Sequence, residues 1–352
     1  MTVRRVVTLA VPGDIRTRTG GYFYDRRLIA GLGELGWQVK VLELPASFPD
    51  PDPAGMQDAL AALQAVPGEG VLIVDGLALG ALDPVGLRQV AEPVDALVHH
   101  PLAMESGLDP ARRDHLHRTE RQNLRHARHV LVPSPHVRDL LVSGYAVAPD
   151  QITVARPGTD RPRPGARQAV TPPLVLSVGI LHPRKGHDVL IRALAAIADL
   201  DWQAVIVGGA RDPGHAEALR QLIVECGLAD RLRLAGEVSE DRLDALYRRA
   251  SVFALATRYE GYGIVFDEAL SNGLPIIACD SGAVRDTVPP EAGLLVPPED
   301  CAAFADALRT VLDDPARMQA MAFAAASAGR ALPGWDGTAR IAGAVLNAIG
   351  DT

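Results

Sequence analysis

Short apolar runs alternate with longer amphipathic stretches along the whole chain. The short runs predict strands, and the stretches whose apolar residues recur three and four positions apart predict helices. In the first half, the predicted strands cover residues 6–11, 37–44, 70–75, 94–98, 129–133 and 151–154. A strand–helix series of this kind predicts a parallel, doubly wound α/β sheet.

A second strand–helix series follows a proline-rich segment. Residues 161–173 lack apolar periodicity, which indicates a linker. Beyond it, the predicted strands cover residues 174–178, 204–207, 232–234, 252–256, 275–278 and 294–296. We therefore predict two Rossmann-like domains, residues 1–165 and 166–330. We expect the helical segment 331–352 to pack back on the first domain.

The composition is that of a globular protein with two domains of ordinary size. Apolar residues make up 48% and charged residues 22% of 352 residues, and the net charge of −8 gives no support for nucleic-acid binding. Cys226, Cys279 and Cys301 stand singly, so we expect reduced thiols in a cytoplasmic protein. No apolar run approaches the roughly 18 residues of a membrane span. The apolar run 6–11 is too short for a signal peptide.

One predicted helix, residues 113–129, is crowded with arginine and histidine. Asp114 and Glu120 dilute its charge and large apolar anchors are few, so we interpret it as a solvated helix face. Peripheral contact with an anionic membrane surface or a charged acceptor is the alternative.

A glycine pattern in the first half satisfies GxGxxG without the context of a dinucleotide site. Residues 31–36 read Gly-Leu-Gly-Glu-Leu-Gly. The fingerprint needs its glycines between a strand and the helix that follows, whereas these glycines end a predicted helix and precede a strand. Gly36 is better explained as a helix C-cap, and no nicotinamide site is predicted.

Two glutamates flank a glycine turn in the second half of the chain. The stretch runs from Glu260 through Gly261 and Gly263 into a predicted helix that contains Glu268. Glycines let the backbone approach a ligand closely, and free N–H groups at a helix start bind anions. A diphosphate at this turn would have one glutamate on each side. An ordinary strand–turn–helix with solvent-facing carboxylates is the alternative.

This stretch resembles the Glu-x7-Glu signature of the retaining family 4 glycosyltransferases, the group 1 glycosyl transferase type. Their usual form is Glu-Gly-Phe-Gly followed by apolar residues and Glu-Ala, and this chain has Tyr262 in place of the Phe. Further segments similar to the family follow in the same order: Gly20-Gly21, Arg156-Pro-Gly158-Thr-Asp160, Val178-Gly179 with Lys185-Gly186, and Gly273-Leu-Pro275. The resemblance covers nearly the whole chain.

The resemblance implies the GT-B fold, in which two Rossmann-like domains face each other across a cleft. It also implies an enzyme that retains anomeric configuration and needs no metal. Such an enzyme moves a hexosyl group from a UDP- or GDP-sugar to a small-molecule, glycan or lipid acceptor.

Roles for individual residues follow from the same resemblance. Glu260 would meet hydroxyls of the donor sugar, Glu268 the ribose hydroxyls, and the backbone near Val238 the base. The backbone N–H groups of Gly263, Ile264 and Val265 would hold the diphosphate. The other predicted donor-binding residues are Gly21, Arg184, Lys185, Gly261 and Tyr262. The predicted catalytic residues are Glu260, Lys185 and His99.

The acceptor side is expected in the first domain. The family has a histidine after the middle strand there; His99 is the better positional match and His100 the second. We expect the loop before the first helix to face the acceptor, with further contacts from Arg16, Arg18, Tyr22 and Tyr24. A histidine at a strand end that is only hydrogen-bonded is the alternative for His99.

Fixed cations are needed where negative charge develops on the leaving diphosphate. We predict no metal site, because the Asp-x-Asp motif Asp50-Pro-Asp52 lies in a proline-rich loop that we place on the surface. Only two of the 35 basic residues are lysines, and one of them, Lys185, would supply the charge. The chain has Ile180 where the family usually has arginine. Either Arg184 takes over that contact or Lys185 carries more of it.

Two other functions compete with this prediction. A GT-B epimerase is not expected to have the Glu-x7-Glu layout, and a phosphorylase would find few lysines to anchor pyridoxal phosphate. A non-catalytic nucleotide-sugar-binding subunit belongs to a different class, and binding without turnover would identify it. The sequence leaves the oligomeric state open between monomer and homodimer.

Overall fold

The computed structural model describes residues 5–68, 70–163, 167–210 and 212–350. The chain forms two compact units, Met1–Gly158 with Pro333–Thr352 and Thr159–Leu332. Each unit contains a six-stranded sheet in which every described strand pair is parallel. The predicted α/β class with two Rossmann-like parallel sheets is confirmed.

The sheet of the first unit has the strand order β2-β1-β3-β4-β5-β6. Its strands are β1 (Val6–Pro12), β2 (Gln38–Leu44), β3 (Val71–Asp75), β4 (Val94–Leu97), β5 (Ala127–Val132) and β6 (Ile152–Val154). Its helices are α1 (Gly20–Glu34), α2 (Pro53–Gln64), α3 (Gly76–Leu79), α4 (Pro84–Leu87), α5 (Pro110–Leu124), α6 (Pro135–Tyr145) and, from the C-terminus, α14 (Trp335–Gly350). The order reverses at the β1–β3 pair, and open α/β sheets bind ligands at the strand ends beside such a reversal.

The sheet of the second unit has the order β12-β11-β10-β7-β8-β9. Its strands are β7 (Leu174–Val178), β8 (Gln203–Val207), β9 (Leu232–Gly236), β10 (Val252–Leu255), β11 (Ile276–Cys279) and β12 (Gly293–Val296). Its helices are α7 (His187–Ala196), α8 (Pro213–Glu225), α9 (Glu240–Arg249), α10 (Ile264–Ser271), α11 (Val284–Thr287), α12 (Cys301–Leu312) and α13 (Pro315–Ala331). Because β7 and β10 are neighbours, the loops that follow them meet at one edge of the sheet.

The central strands are buried on both faces, which explains their continuous apolar sequence. All four residues of β10 are buried, and its Phe253 packs edge-on against Phe266 of α10 with ring centroids 5.9 Å apart. The hydrophobic contacts therefore hold α10 firmly against the strand that precedes it.

The three cysteines are free thiols; Cys279 is buried in β11, and Cys226 and Cys301 are half-buried.

The glycines of residues 31–36 close α1 and do not form a nucleotide loop. Gly36 has a φ of 86°, and the Trp37 N–H donates to the Leu32 carbonyl at 3.0 Å, which is a Schellman ending. Gly31 faces α14, where a Cβ would lie 2.5 Å from the Cβ of Ala339. Gly36 therefore ends α1, and Gly31 leaves room for the close approach of α14.

The Arg/His-rich helix is shorter than predicted. α5 ends at Leu124, whereas we expected helix to residue 129, and Arg128 and His129 lie in β5. Arg128 pairs with the buried carboxylate of Asp95 on β4 at 2.7 Å, so a charged residue stands inside the sheet. The described part of the chain contains no helix long and apolar enough to cross a membrane.

Glu120 of α5 is a buried carboxyl in the first unit. It accepts the backbone N–H of Leu102 at 3.0 Å. Burial raises the pKa of Glu120 to about 8, although the Leu102 N–H and the Tyr145 hydroxyl act in the opposite direction. The folded chain therefore keeps this proton at pH values where the unfolded chain, with an ordinary value of 4.5, has released it.

We predict that Glu120→Gln makes the free energy of unfolding less sensitive to pH. Below 4.5 the carboxyl is protonated in both states, and as the pH rises towards about 8 only the unfolded state loses the proton. The wild-type chain thus loses stability over that interval, up to a few kcal/mol, and glutamine removes this loss. Urea unfolding at about pH 5 and about pH 8 measures it, with the exposed α5 variant Asp114→Asn as control. Equal losses in wild-type and Glu120→Gln would contradict the assignment.

Candidate functional site

The glycine turn of the second unit joins β10 to α10. Gly263 is the N-cap of α10 with a φ of 92°, and a Cβ there would lie 2.6 Å from the ring of Phe266, so glycine is required. Among the described residues, no side chain caps this helix start. The N–H groups of its first turn, which includes the half-buried Ile264 and Val265, therefore point towards a position suited to an anion.

The loop after β7 is fastened to the same edge of the sheet. It contains a single 3₁₀ turn, Pro183–Lys185. Gly186 follows with a φ of 61°, and a Cβ there would stand 1.9 Å from the Ala256 carbonyl oxygen. The Arg258 N–H donates to the Arg184 carbonyl at 2.7 Å. These contacts allow little freedom to the backbone that carries Arg184 and Lys185.

Glu260 is the meeting point of the two loops. Lys185 Nζ donates to its Oε1 at 2.5 Å, Arg184 Nη1 lies 3.7 Å from its Oε2, and the Thr257 hydroxyl lies 3.0 Å from Oε1. Glu260 is only 5% exposed. Burial acts to raise the pKa of Glu260, but the charges of Lys185 and Arg184 and the hydrogen bonds outweigh it, so the pKa lies below the ordinary value. The site holds a buried, ionised carboxylate.

Glu268 lies one turn into α10 and has a different environment. It is half-buried, and the Tyr247 hydroxyl of α9 donates to its Oε2 at 2.7 Å. Desolvation raises the pKa of Glu268 to about 7; the Tyr247 bond opposes this, and the charges of Asp267 and Asp244 add to it. This carboxyl is therefore close to half-ionised at neutral pH.

The other predicted donor-side residues of the second unit differ in what they expose. Tyr262 is buried, and its hydroxyl donates to Asp267 at 2.6 Å, so its side chain supports the turn from within. Gly261 is buried as well, whereas Val238, between β9 and α9, is half-buried. The backbone of the turn, more than the Tyr262 side chain, is what a ligand would meet.

In the first unit, His99 follows β4 and lies between two carboxylates. Its Nε2 is 2.9 Å from Asp25 Oδ1 on α1 and 3.7 Å from Asp75 Oδ2 at the end of β3. Both aspartates are buried. Gly21 leaves room for the imidazole, because a Cβ there would approach the ring to 3.1 Å, and Tyr24 contacts it edge-on with centroids 5.2 Å apart.

The remaining predicted acceptor residues separate into core and surface. Tyr24 is 1% exposed and its hydroxyl donates to the Ala155 carbonyl at 2.8 Å; Tyr22 is also buried, with its hydroxyl on the Pro12 carbonyl. Both hydroxyls therefore bond to backbone carbonyl groups of the same unit. Arg16 and Arg18 are exposed, and Arg16 pairs with Asp14 at 2.9 Å. His100 is half-buried, with Nε2 3.5 Å from Glu105.

The carboxylates of Asp50 and Asp52 both have structural partners. Asp52 is the N-cap of α2 and accepts the Gly55 N–H at 2.7 Å, and Asp50 pairs with Arg112. In the described residues, the one group of three potential ligand side chains is Asp25, Asp75 and His99, whose nearest polar atoms lie within 4.8 Å of one another.

The sequence did not reveal several polar residues that contact the predicted site residues or the loops that carry them. Asp75 stands at the end of an apolar strand, as His99 nearly does, and that position was a usable signal. Asp25 and Tyr247 lie inside helices, where the sequence does not reveal their partners. His187 is buried at the start of α7, with Nε2 3.3 Å from the carbonyl oxygens of Gly179 and Ile180. Burial lowers the pKa of His187 to about 4, so it is neutral.

Comparison with known proteins identifies the second unit. Residues 160–327 match the sequence model of the family described as "Glycosyl transferases group 1". These residues belong to the group 1 glycosyl transferases. The sequence-based recognition is confirmed, and the matched segment contains both loops around Glu260.

Similar proteins extend the comparison. The chain is 34% identical to a D-inositol 3-phosphate glycosyltransferase from Thermomonospora curvata over 223 residues, which are 56% of this chain and 52% of that protein. It is 36% identical to a GDP-mannose-dependent alpha-(1-6)-phosphatidylinositol monomannoside mannosyltransferase from Mycobacterium tuberculosis over 209 residues, 53% of each chain. The chain thus matches about half the length of these relatives.

A solved structure matches almost the whole chain. Sucrose-phosphate synthase from Thermosynechococcus elongatus is similar over 98% of this chain and 99% of its own, with a TM-score of 0.85 and 25% identity. The predicted GT-B fold class is confirmed by this likeness.

We predict that Glu268 makes nucleotide binding depend on pH. If the carboxylate accepts the ribose hydroxyls, UDP or GDP should bind more tightly as Glu268 loses its proton around pH 7. Titration calorimetry at about pH 6 and about pH 8 should show a several-fold gain for wild-type beyond that of Glu268→Gln. The exposed α8 variant Glu225→Gln should behave as wild-type. The same pH dependence in Glu268→Gln would rule the ribose contact out.

Proposed function

We propose that this chain is a retaining, metal-independent glycosyltransferase. It would move a hexosyl group from a UDP- or GDP-sugar to a small-molecule, glycan or lipid acceptor. The observation that carries the proposal is the buried, ionised Glu260, which is paired with Lys185 and Arg184 beside the uncapped start of α10. The group 1 match over residues 160–327 and the names of the sugar-transferring relatives support it.

The donor would be held by complementary charge and hydrogen bonds. The N–H groups at the start of α10 suit a diphosphate, and the carboxylate of Glu260 suits hydroxyl groups of the sugar. Glu268 would accept from the ribose, and the segment around Val238 would meet the base. Each of these groups lies in the second unit.

Cleavage of the sugar–phosphate bond leaves more negative charge on the diphosphate than the bound donor carries. A cation fixed at that point stabilises the transition state more than the ground state. Lys185 has three N–H donors, so its ammonium can serve Glu260 and a phosphate oxygen together. Ile180 occupies the family's usual arginine position, and Arg184 reaches the same carboxylate. We propose that Arg184 makes that phosphate contact.

The proposed acceptor-side residues are His99, His100, Arg16, Arg18, Tyr22 and Tyr24. His99 is partly exposed, with polar support beneath it, and the two arginines are exposed. The family resemblance supports retention of the donor's configuration. We also propose a cytoplasmic location, which the reduced state expected for the three cysteines supports.

We predict that Glu260→Gln lowers the turnover number by about 10²–10³-fold, because the amide cannot replace the charge of the carboxylate beside Lys185. Release of UDP or GDP from UDP-glucose and GDP-mannose measures this, with Glu291→Gln, at an exposed position of the same unit, as control. Glutamine is preferred to alanine because alanine would leave Lys185 and Arg184 without their buried counter-charge. Near wild-type turnover in Glu260→Gln would remove Glu260 from the site, and binding without turnover in wild-type would indicate a non-catalytic subunit.

We predict that chelation leaves turnover unchanged. If Lys185 and the α10 N–H groups supply the positive potential, EDTA should have no effect, and added Mg²⁺ or Mn²⁺ should not be required. The comparison is the initial rate with and without EDTA at matched ionic strength. A loss of activity that Mn²⁺ or Mg²⁺ restores would overturn metal independence while leaving glycosyl transfer intact.

A further inference from the structure

The first unit contains a buried polar cluster that packing alone does not explain. It brings together Asp25 from the middle of α1, Asp75 from the end of β3 and His99 from the segment after β4. Asp25 is 0% exposed, and its Oδ2 is buried without a hydrogen-bond partner among the described residues. A buried polar atom left unpaired costs about 1–3 kcal/mol, so the burial of Asp25 Oδ2 destabilises the fold.

Both carboxylates approach the same nitrogen of His99. Nε2 is 2.9 Å from Asp25 and 3.7 Å from Asp75, and Asp75 is itself oriented by the Leu77 N–H, which donates to its Oδ1 at 2.8 Å. We assign the proton to Nε2, because a carboxylate oxygen accepts hydrogen bonds and Asp25 Oδ1 lies 2.9 Å from this nitrogen. The other nitrogen, Nδ1, has no hydrogen bond with the described residues, while the side chain keeps 20% of its surface exposed.

Burial and the neighbouring carboxylates act in opposite directions on the pKa of His99. Burial acts to lower the pKa of His99, but the charge and hydrogen bond of Asp25 and the charge of Asp75 outweigh it and raise the pKa. Burial and the charge of Asp25 raise the pKa of Asp75, against a smaller opposite effect of His99. The hydrogen bond from Nε2–H to Asp25 can therefore form whether or not Nδ1 is protonated.

We propose that Asp25 is a positioning residue for His99. By accepting the Nε2–H it fixes the tautomer and orientation of the imidazole, so that Nδ1 is the atom presented to a hydroxyl group of a substrate. The geometry resembles a carboxylate–histidine pair in which the carboxylate acts only through the histidine. The role of His99 towards substrate rests on the proposed function, whereas the state of its ring does not.

The same three side chains have the composition of a metal site, but one feature opposes that reading. The Nε2–Asp25 distance of 2.9 Å is that of a direct hydrogen bond between the two side chains.

The tautomer can be tested without any enzymatic activity. In ¹⁵N-labelled full-length protein at alkaline pH, where the ring is neutral, two-bond ¹⁵N–¹H spectra should show His99 with the proton on Nε2. His99→Gln identifies the signal by its loss. Asp25→Leu leaves Asp75 as the more distant acceptor at 3.7 Å, so it should raise the fraction of rings with the proton on Nδ1. The exposed α1 variant Glu34→Gln should leave the signal unchanged. A proton on Nδ1 in wild-type, or an unchanged tautomer in Asp25→Leu, would overturn the proposal.

Kinetics then test whether the positioning matters for turnover. With UDP-glucose and GDP-mannose as donors and water as acceptor, Asp25→Asn should lower kcat about tenfold and Asp25→Leu about 100-fold, with little change in the donor KM. Asparagine retains an acceptor oxygen and is therefore the milder change. Equal kcat in Glu34→Gln, Asp25→Asn and wild-type would reject the positioning role. If wild-type has no turnover, the proposed function fails, and the NMR experiment alone decides the state of His99.

Metal content is measured on the same protein. Plasma mass spectrometry of wild-type purified without chelator should find far less than one equivalent of any transition metal. One equivalent that is absent from Asp25→Asn would assign the cluster as a metal site and overturn the proposal. If Asp25→Leu fails to fold, the wild-type tautomer and the Asp25→Asn kinetics still decide it.

Discussion

The buried carboxylate of Glu260 is the constraint on which the second unit depends. An ionised group removed from water must be paired and hydrogen-bonded, and Lys185, Arg184 and Thr257 meet this requirement here. Their backbone positions are set in turn by the adjacency of β7 and β10. Packing of the sheet therefore creates the charge cluster, and the charge cluster holds the two loops in a shape suited to a diphosphate.

Both units use the same physical device at the reversal of strand order. Parallel strands end at one edge, and the loops on either side of the reversal bring polar side chains together there. In the second unit a carboxylate meets a lysine and an arginine, whereas in the first unit a histidine meets two aspartates.

Tyrosine hydroxyls form a second layer of support around the Glu260 turn. Tyr262 replaces the phenylalanine usual in the family, and a buried hydroxyl needs a partner, which Asp267 provides from within α10. Tyr247 plays the corresponding part for Glu268 from α9. The two acidic residues side by side on α10 thus have different tasks: Asp267 bonds inward to the turn, and Glu268 remains half-buried and near its titration point.

The sequence by itself determined the α/β class, twelve strands within a few residues and the meeting of Glu260, Lys185 and the start of α10. These features depend on local patterns: continuous apolar runs, glycine turns and the order of short motifs. It misjudged the end of α5, because Arg128 is a strand residue whose charge is neutralised by Asp95 from another strand. It did not reveal that the hydroxyls of Tyr22 and Tyr24 donate to backbone carbonyl groups.

Only the tertiary structure decided which distant polar groups touch. Asp25 and Tyr247 are ordinary helix residues in the sequence. Their contacts with His99 and Glu268 depend on which face α1 and α9 turn towards the sheet. Periodicity predicts that a helix has a buried face, but not which polar atom on that face meets a partner. Apolar patterning is summed over many residues and so survives in the sequence, whereas a single hydrogen bond depends on positions accurate to a few tenths of an ångström.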